Sequence, residues 1–391
     1  MAVLSKLLEE ISYECVRGTL DREISDIVYD SRKVMADCLF VCIAGAKADG
    51  HRYAAEAAKA GAAAILVQRE VELPEDSDVT VIRVENTCYA MAFVSAAYFG
   101  HPAKEMKIIG VTGTKGKTTT TYLVRSILEQ AGRKVGLIGT IEIIIGETHI
   151  HAENTTPQSY LIQKYFRMMA DEGCDTVVME VSSQGLMLHR TQGFVFDFGI
   201  FTNLEPDHIG ENEHKDFDDY LHCKSLLFKQ CRVGIVNQDD DHWKAVTEGC
   251  TCQLETYGID SPASLRAEDI SFLNEKGSLG MSFTVKGLAE FPVTIASPGK
   301  FSVYNALTAI AICRHFGVDS EDVRRALSLA KVKGRTETVW VSDDFTLMID
   351  YAHNAMALKS LLETLRAYHP HRLVCLFGCG GNRDRTKRPV M

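Results

Sequence analysis

No stretch of 18 apolar residues occurs in the chain, so nothing in it reads as a membrane span. A basic stripe is missing too. The formal net charge is -10 at pH 7, which argues against a nucleic-acid surface and requires any bound phosphate to be held locally. The 12 cysteines, Cys15, Cys38, Cys42, Cys88 and Cys174 among them, show neither C-x-x-C spacing nor the density of a small secreted scaffold. They point to a reduced, cytoplasmic setting rather than to a zinc site or a disulfide frame. Met1 to Leu20 carries Glu9, Glu10 and Glu14 where a signal peptide would carry a basic flank and an apolar run. There is no internal repeat and no low-complexity tract. What is present is the composition of a soluble globular protein, 46% hydrophobic and 24% charged over 391 residues, long enough for two or three domains.

Short apolar runs at Leu39 to Ile43, Ala63 to Val67 and Val79 to Val84 flank an alanine-rich helical stretch, His51 to Ala60, and predict a first α/β domain over residues 1–102. His101-Pro102 breaks the preceding helix, and a strand, Met106 to Val111, then leads through a Gly/Thr-rich loop into a helix ending near Gly132. Further buried-strand runs at Val135 to Ile138, Thr176 to Val181, Phe198 to Thr202 and Val233 to Asn237 alternate with helical segments, the pattern of a mostly parallel, doubly wound sheet. Alternation over Ser278 to Ala296 predicts antiparallel strands, followed by a helix over Gly299 to Phe316. This second domain is expected to span 103–332, with a boundary at Lys331 to Gly334. The third, 333–391, should hold strands at Thr338 to Val341, Phe345 to Ile349 and Leu373 to Phe377 around a helix from Ala355 to Tyr368. At that length it is near the lower limit for independent folding and reads as incomplete.

Four features carry chemistry. Gly110-Val-Thr-Gly113-Thr114-Lys115-Gly116-Lys117-Thr118-Thr119 sits between an apolar strand and an amphipathic helix. Glycines let backbone N–H groups turn toward a phosphate, the helix N-terminus favours its charge, Lys117 can reach terminal phosphates and Thr118 can offer a hydroxyl to Mg²⁺. Val111 stands where the common phosphate-loop pattern has glycine, so this is a variant of it. Glu180 ends a buried strand just before Val181-Ser182-Ser183, where open α/β sheets bind ligands, and is a candidate metal ligand. His208, in Thr202-Asn-Leu-Glu-Pro-Asp-His208, again follows a strand, although an isolated histidine is more often structural and Mg²⁺ favours oxygen. Lys224 falls inside the apolar stripe of the helix predicted over Asp216 to Gln230, where an ammonium must be snorkelled, paired or chemically altered.

The run Gly-x-Thr-Gly-Thr-x-Gly-Lys-Thr-Thr resembles the nucleotide loop of the Mur ligases and of their folylpolyglutamate synthase relatives. Asn203 to His208 is similar to the Mur Asn-x-x-x-Asp-His stretch, whose histidine helps bind a second magnesium. Tyr220-x-x-x-Lys224-Ser-Leu-Leu resembles the segment whose lysine is carbamylated to become a magnesium ligand. Gly299 to Leu307 resembles a helix start that places Asn305 at the base. Gly334-Arg335 and Asp350-Tyr-Ala-His353 resemble segments that reach ATP from the third domain, although Asn354-Ala-Met356 departs from the commoner Thr-Pro-Asp.

Other matches bear on the substrate. Asn154-Thr155-Thr156-Pro157, Ser182 and Arg190 resemble contacts to a UDP-muramoyl dipeptide, with Leu188 replacing a glutamine of some relatives; the first of these stretches also suits a helix start. Tyr29-Asp-Ser31-Arg32 and Phe40 to His51 resemble a uridine-binding pattern, with Ser31 carried over. Folylpolyglutamate synthases lack such an N-terminal domain. Phe377-Gly-Cys-Gly-Gly-Asn-Arg383-Asp is close to a signature of the ligases that add the third amino acid, Arg383 matching the residue that binds it.

The resemblance implies a three-domain Mur ligase architecture with a central phosphate-loop-type doubly wound sheet and a partial Rossmann-like third domain. It further implies ATP and Mg²⁺, catalytic roles for Lys117, Lys224 and His208, and a cytoplasmic monomer. The reaction would join meso-diaminopimelate or L-lysine to UDP-MurNAc-L-Ala-D-Glu. Two alternatives stay open at this point: another amide ligase of the superfamily, and a non-catalytic nucleotide- or precursor-binding protein.

Overall fold

The computed structural model describes residues 2–45, 48–207, 209–210, 213–379 and 387–391. His208 and Arg383 lie outside the described residues. Near the N-terminus, strands Ile27–Val28, Leu39–Val41, Ala64–Val67 and Thr80–Arg83 run parallel, and Glu14–Arg17 adds antiparallel to the last. Successive strand residues point to opposite faces, and here both faces are covered. Leu39, Val41, Ala64 and Leu66 pack with Ala90, Met91 and Val94 of helix Thr87–Tyr98. Phe40, Ile65 and Val67 pack with Ala54 and Ala57 of the short helix Ala54–Lys59.

Among the described residues the central sheet has eleven strands. Its parallel core runs in the order Val135–Ile138, Thr176–Glu180, Lys107–Thr112, Phe196–Phe201, Cys231–Asn237, Gln253–Gly258. The hairpin Glu142–Ile145/Thr148–His151 extends one edge, and an antiparallel meander, Leu265–Glu275, Ser278–Gly287 and Phe291–Ile295, extends the other. Helices Lys117–Gln130, Lys300–Cys313 and Ser320–Leu329 cover one face, where Ile109, Val111, Val178, Ile200 and Ile235 meet Val124, Ile127, Leu307 and Ile310. Helices Ser159–Asp171 and Phe217–Ser225 cover the other, over Ile108, Val177, Met179 and Val236. At ~1.5–3 kcal/mol for each fully buried large aliphatic, these two layers supply most of the driving force. Strand Lys107–Thr112 lies between neighbours reached by opposite crossovers, the arrangement that opens a ligand crevice at the carboxyl ends of the strands.

Tyr160 ties this layer to the N-terminal one: it packs in the N-terminal core, and its hydroxyl donates to Asp26 at 2.8 Å. Beyond Gly334, strands Glu337–Val341 and Thr346–Ile349 form a hairpin, and helix Ala355–Arg366 follows, capped by Asn354. The strand expected at Leu373 to Phe377 is not formed. Those residues have no ladder partner among the described residues, and Val374, Leu376 and Phe377 are exposed. An apolar run becomes a strand only when a neighbour takes up its backbone groups. Tyr368 closes the segment onto the meander by donating to the Gly280 carbonyl at 2.6 Å, and Thr346 does the same to Gly277 at 2.7 Å. Among the described residues no helix is long and apolar enough to cross a membrane.

Candidate active site

The phosphate loop leaves strand Lys107–Thr112 and enters helix Lys117–Gln130 through two glycines with positive φ, Gly113 at 147° and Gly116 at 86°. Side chains are excluded on both counts: a Cβ on Gly113 would collide with Thr202 Oγ1, and one on Gly116 would lie 2.5 Å from Asn305 Oδ1. The loop is held from behind by the segment after Phe196–Phe201. Thr114 N donates to the Asn203 carbonyl at 2.9 Å, Lys115 N to Asn203 Oδ1 at 2.9 Å, and Thr202 Oγ1 to the Lys115 carbonyl at 2.7 Å. Thr114 Oγ1 meets Tyr220 OH at 3.0 Å, and Lys115 pairs with Glu205 at 2.5 Å. Lys115 is thus engaged in bracing the loop.

Glu180, 1% exposed, is the centre of the polar network. Its carboxylate accepts from Thr118 Oγ1 at 3.0 Å, from Thr140 N at 2.8 Å and from Thr140 Oγ1 at 3.0 Å. Thr140 Oγ1 also meets Thr155 Oγ1 at 3.0 Å. The Glu180 carbonyl accepts from Thr156 Oγ1 at 3.0 Å, Thr156 Oγ1 accepts from Ser182 N at 2.9 Å, and the Thr156 carbonyl accepts from Arg190 Nη1 at 2.9 Å. Thr118 of the loop, Glu180 and Thr155 therefore share one hydrogen-bonded chain, which Thr156, Ser182 and Arg190 join through the Glu180 carbonyl. Thr140 is the member that sequence reasoning missed. It follows strand Val135–Ile138, and only the pairing of that strand with Thr176–Glu180 brings it to the carboxylate.

Lys224 lies in the last turn of helix Phe217–Ser225, 1% exposed, with Nζ 2.9 Å from the Gly113 carbonyl and 4.5 Å from the Tyr220 ring centre. It does not snorkel. Lys117 Nζ donates to the same carbonyl at 2.8 Å and to that of Thr114 at 3.1 Å. Burial, and then the neighbouring Lys117 ammonium, push the Lys224 amine well below the ordinary lysine range. Burial also lowers Lys117, against the pull of Glu180.

Arg335 brings the third segment to the loop: its Nη2 lies 3.3 Å from Thr118 Oγ1, and its guanidinium stacks over Tyr351 at 4.5 Å. Asp350 does not touch the loop. It accepts from Thr336 N and Ala352 N, both at 2.8 Å, and so holds Thr336 at a φ of 42°, a conformation a β-branched residue rarely adopts. The strained turn aims Arg335. Thr119 and Arg335 both line a cavity of about 230 Å³ beside Ser297 and Thr336. Asn305 is buried behind the loop helix, its Oδ1 3.5 Å from Thr120 Oγ1.

Asn154 is exposed, ahead of a helix that begins at Ser159 rather than at the Thr-Pro step. Ser31 opens the short turn Ser31–Lys33, two residues past Tyr29, whose phenol is raised by burial and then by the Glu153 carboxylate, with Arg190 opposing. Arg190 Nε has no hydrogen-bond partner among the described residues.

A doubly wound sheet with a glycine-built phosphate loop, a buried carboxylate at the next strand end and an arginine entering from a further segment defines a nucleotide-phosphate-binding enzyme. The chain matches the Mur ligase family catalytic domain over residues 23–114, the Mur ligase middle domain over 111–313 and the Mur ligase glutamate ligase domain over 334–391. It belongs to the Mur ligase family. It is 41% identical over 392 residues to UDP-N-acetylmuramoyl-L-alanyl-D-glutamate 2,6-diaminopimelate ligase 1 of Clostridium acetobutylicum, covering 99% of this chain and 80% of that protein. The corresponding ligase of Bacillus licheniformis is 41% identical over 399 residues, with coverage of 99% and 80%. A solved structure of a ligase of this name superposes with a TM-score of 0.81 at 25% identity, covering all of this chain and 79% of that one.

Proposed function

We propose that the chain is an ATP-dependent ligase that joins a diamino acid to the terminal carboxylate of UDP-MurNAc-L-Ala-D-Glu in peptidoglycan synthesis, with domains at 1–102, 103–332 and 333–391. The observation that carries this reading is the continuous chain Arg335–Thr118–Glu180–Thr140–Thr155, which joins the phosphate loop to the substrate side without a break. The relatives named for diaminopimelate favour that amine over L-lysine.

A carboxylate oxygen of the dipeptide attacks the γ-phosphorus of ATP and ADP leaves; the neutral amine nitrogen then attacks the acyl carbon, phosphate leaves as the acyl C–O bond breaks, and the nitrogen releases a proton. Neither step needs a protein nucleophile, so the protein's work is positioning and charge neutralisation. Lys117 turns from its own loop carbonyls to the phosphates, the N–H groups after Gly113 and Gly116 face the same charge, and Arg335 approaches over Thr118. Arg190, with a free Nε beside Thr156, Ser182 and Thr155, suits an anionic group of the precursor, and Asn154 and Ser31 extend that side toward the sugar and uridine. Asn305 serves the base end.

Magnesium fits the donor set, because Thr118 and Glu180 present hard oxygens 3.0 Å apart; when bound it would offset phosphate charge. A neutral Lys224 amine is the form that adds CO₂, forming an N–C bond and releasing a proton, and the resulting carbamate supplies a further oxygen donor. His208 and Arg383 are proposed from the sequence alone, as a metal ligand and an amino-acid contact.

The test is phosphate release by the purified chain with ATP, Mg²⁺ and UDP-MurNAc-L-Ala-D-Glu, adding meso-diaminopimelate and L-lysine separately. Release that requires one of them supports the reading and names the amine. Release indifferent to the UDP-dipeptide would overturn it.

A further inference from the structure

The reaction as described leaves unused a wholly buried imidazole beside the site. His214 precedes helix Phe217–Ser225 and is 0% exposed. Its Nδ1 lies 3.2 Å from Oδ2 of Asp219, in the first turn of the helix whose last turn carries Lys224. Its Nε2 lies 2.8 Å from Oγ of Ser183, the first residue of helix Ser183–Met187, which Ser182 caps by accepting from Gly185 N at 3.0 Å. The ring also packs 5.1 Å from that of Tyr220, whose hydroxyl reaches Thr114 of the phosphate loop. A carboxylate only accepts, so Nδ1 carries its proton toward Asp219, and in the neutral ring Nε2 accepts from the Ser183 hydroxyl.

Serine, imidazole and aspartate in this order have the connectivity of a hydrolytic triad. Burial rules that role out. Ser183 is 4% exposed and His214 0%, which leaves an acyl substrate no approach. What remains is a link between two walls: Ser182 and Ser183 follow Glu180 on one, and Asp219 shares a short helix with Lys224 on the other.

We propose that His214 is a positioning residue, a rigid strut between the Ser182–Ser183 turn and the Lys224 helix that sets the spacing at which Glu180, Ser182 and Lys224 meet one substrate. The inference rests on the ligase reading. An imidazole bonds at both ends at once, whereas the single amide of His214→Gln reaches one partner and breaks the link to the other. Thr202, Asn203 and Glu205 hold the phosphate loop by direct hydrogen bonds, whereas His214 reaches it indirectly, through its ring contact with Tyr220, so nucleotide affinity changes little when the strut is cut.

The experiment compares H214Q, S183A and the double variant with the unaltered chain, in steady-state kinetics and in amide hydrogen exchange. The expected result is a fall in kcat of about tenfold or more in H214Q, a smaller fall in S183A, and a KM for ATP within twofold of the unaltered value. The double variant should be no worse than H214Q, because both changes break one link. In exchange, residues 183–187 and 217–225 lose protection together while helix Lys117–Gln130 keeps it. Additive losses, a matching loss of ATP affinity, or unaltered kinetics would overturn the strut. So would stoichiometric zinc in the purified protein, since donor atoms of His214, Asp219 and Cys223 lie within 4.8 Å of one another. If the unaltered chain shows no ligase activity, the ligase reading fails by itself, and the exchange pattern decides whether His214 links the two segments.

Discussion

Lys117 and Lys224 direct their amines at a single acceptor, the carbonyl oxygen of Gly113, from 2.8 and 2.9 Å. Two ammonium groups sharing one carbonyl repel, and the more deeply buried one gives up its proton more readily. Lys224 is that residue, while Lys117 is opposed by the pull of Glu180. The shared loop carbonyl thus sets two identical side chains in different surroundings, the difference that the proposed roles of phosphate-binding cation and CO₂-accepting amine require.

Lys224→Gln should lower kcat by about 10²-fold or more, the scale of removing one charge-stabilising group, with ATP binding retained. Intact-mass measurement without acid should show a CO₂ adduct on the unaltered chain and none on the variant. An adduct that survives the substitution would place the carbamate elsewhere.

Thr140→Val removes the hydroxyl that joins Glu180 to Thr155 but keeps the backbone N–H to Glu180. A loss of about 1–2 kcal/mol, roughly tenfold in kcat/KM for the UDP-dipeptide, is expected, with little change in stability. Wild-type kcat/KM in this variant would show that the hydroxyl does not organise the site.

Gly113→Ala should abolish nucleotide binding, because φ is 147° and the added methyl meets Thr202 Oγ1 and, at 3.2 Å, the Asn203 backbone. Calorimetry with ADP reads this directly. Gly132→Ala, also at positive φ but with nothing within 4 Å of its Cβ, should lose stability and keep ADP affinity.

His51 supplies a pH dependence. Its Nε2 accepts from Gln68 N at 3.1 Å while Nδ1 faces Asp49 at 2.7 Å, and burial holds its pKa below the ordinary histidine value. The unfolded chain therefore binds a proton that the folded chain excludes. This stability is fully present above the unfolded pKa near 6.5 and is lost as pH falls through the folded one. Thermal melts between pH 7 and 5 should show a steeper loss for the unaltered chain than for His51→Asn. Parallel slopes would count against a neutral His51.

Much of this was legible in the sequence, for local reasons. The order of apolar strand, glycine-rich turn and amphipathic helix at 107–130 can be read from those residues alone, and Lys224 stood out because a charge broke an apolar stripe. Thr140 could not be found that way: a threonine after a strand looks like any other until the strand's neighbour is known. Asp350 was legible as a motif but not in its action, which passes through the backbone of Thr336 to Arg335. The strand expected at Leu373 to Phe377 failed for the converse reason, since apolar content without a pairing partner does not make a ladder.

The brace behind the phosphate loop has a consequence for how such a grip is inherited. Because Thr202, Asn203 and Glu205 fix Thr114 and Lys115 from a different strand, the ten residues from Gly110 to Thr119 do not encode their own shape. Grafted alone into another sheet they would be a glycine-rich linker; the transferable unit is the pair of adjacent strands, with both of their outgoing turns.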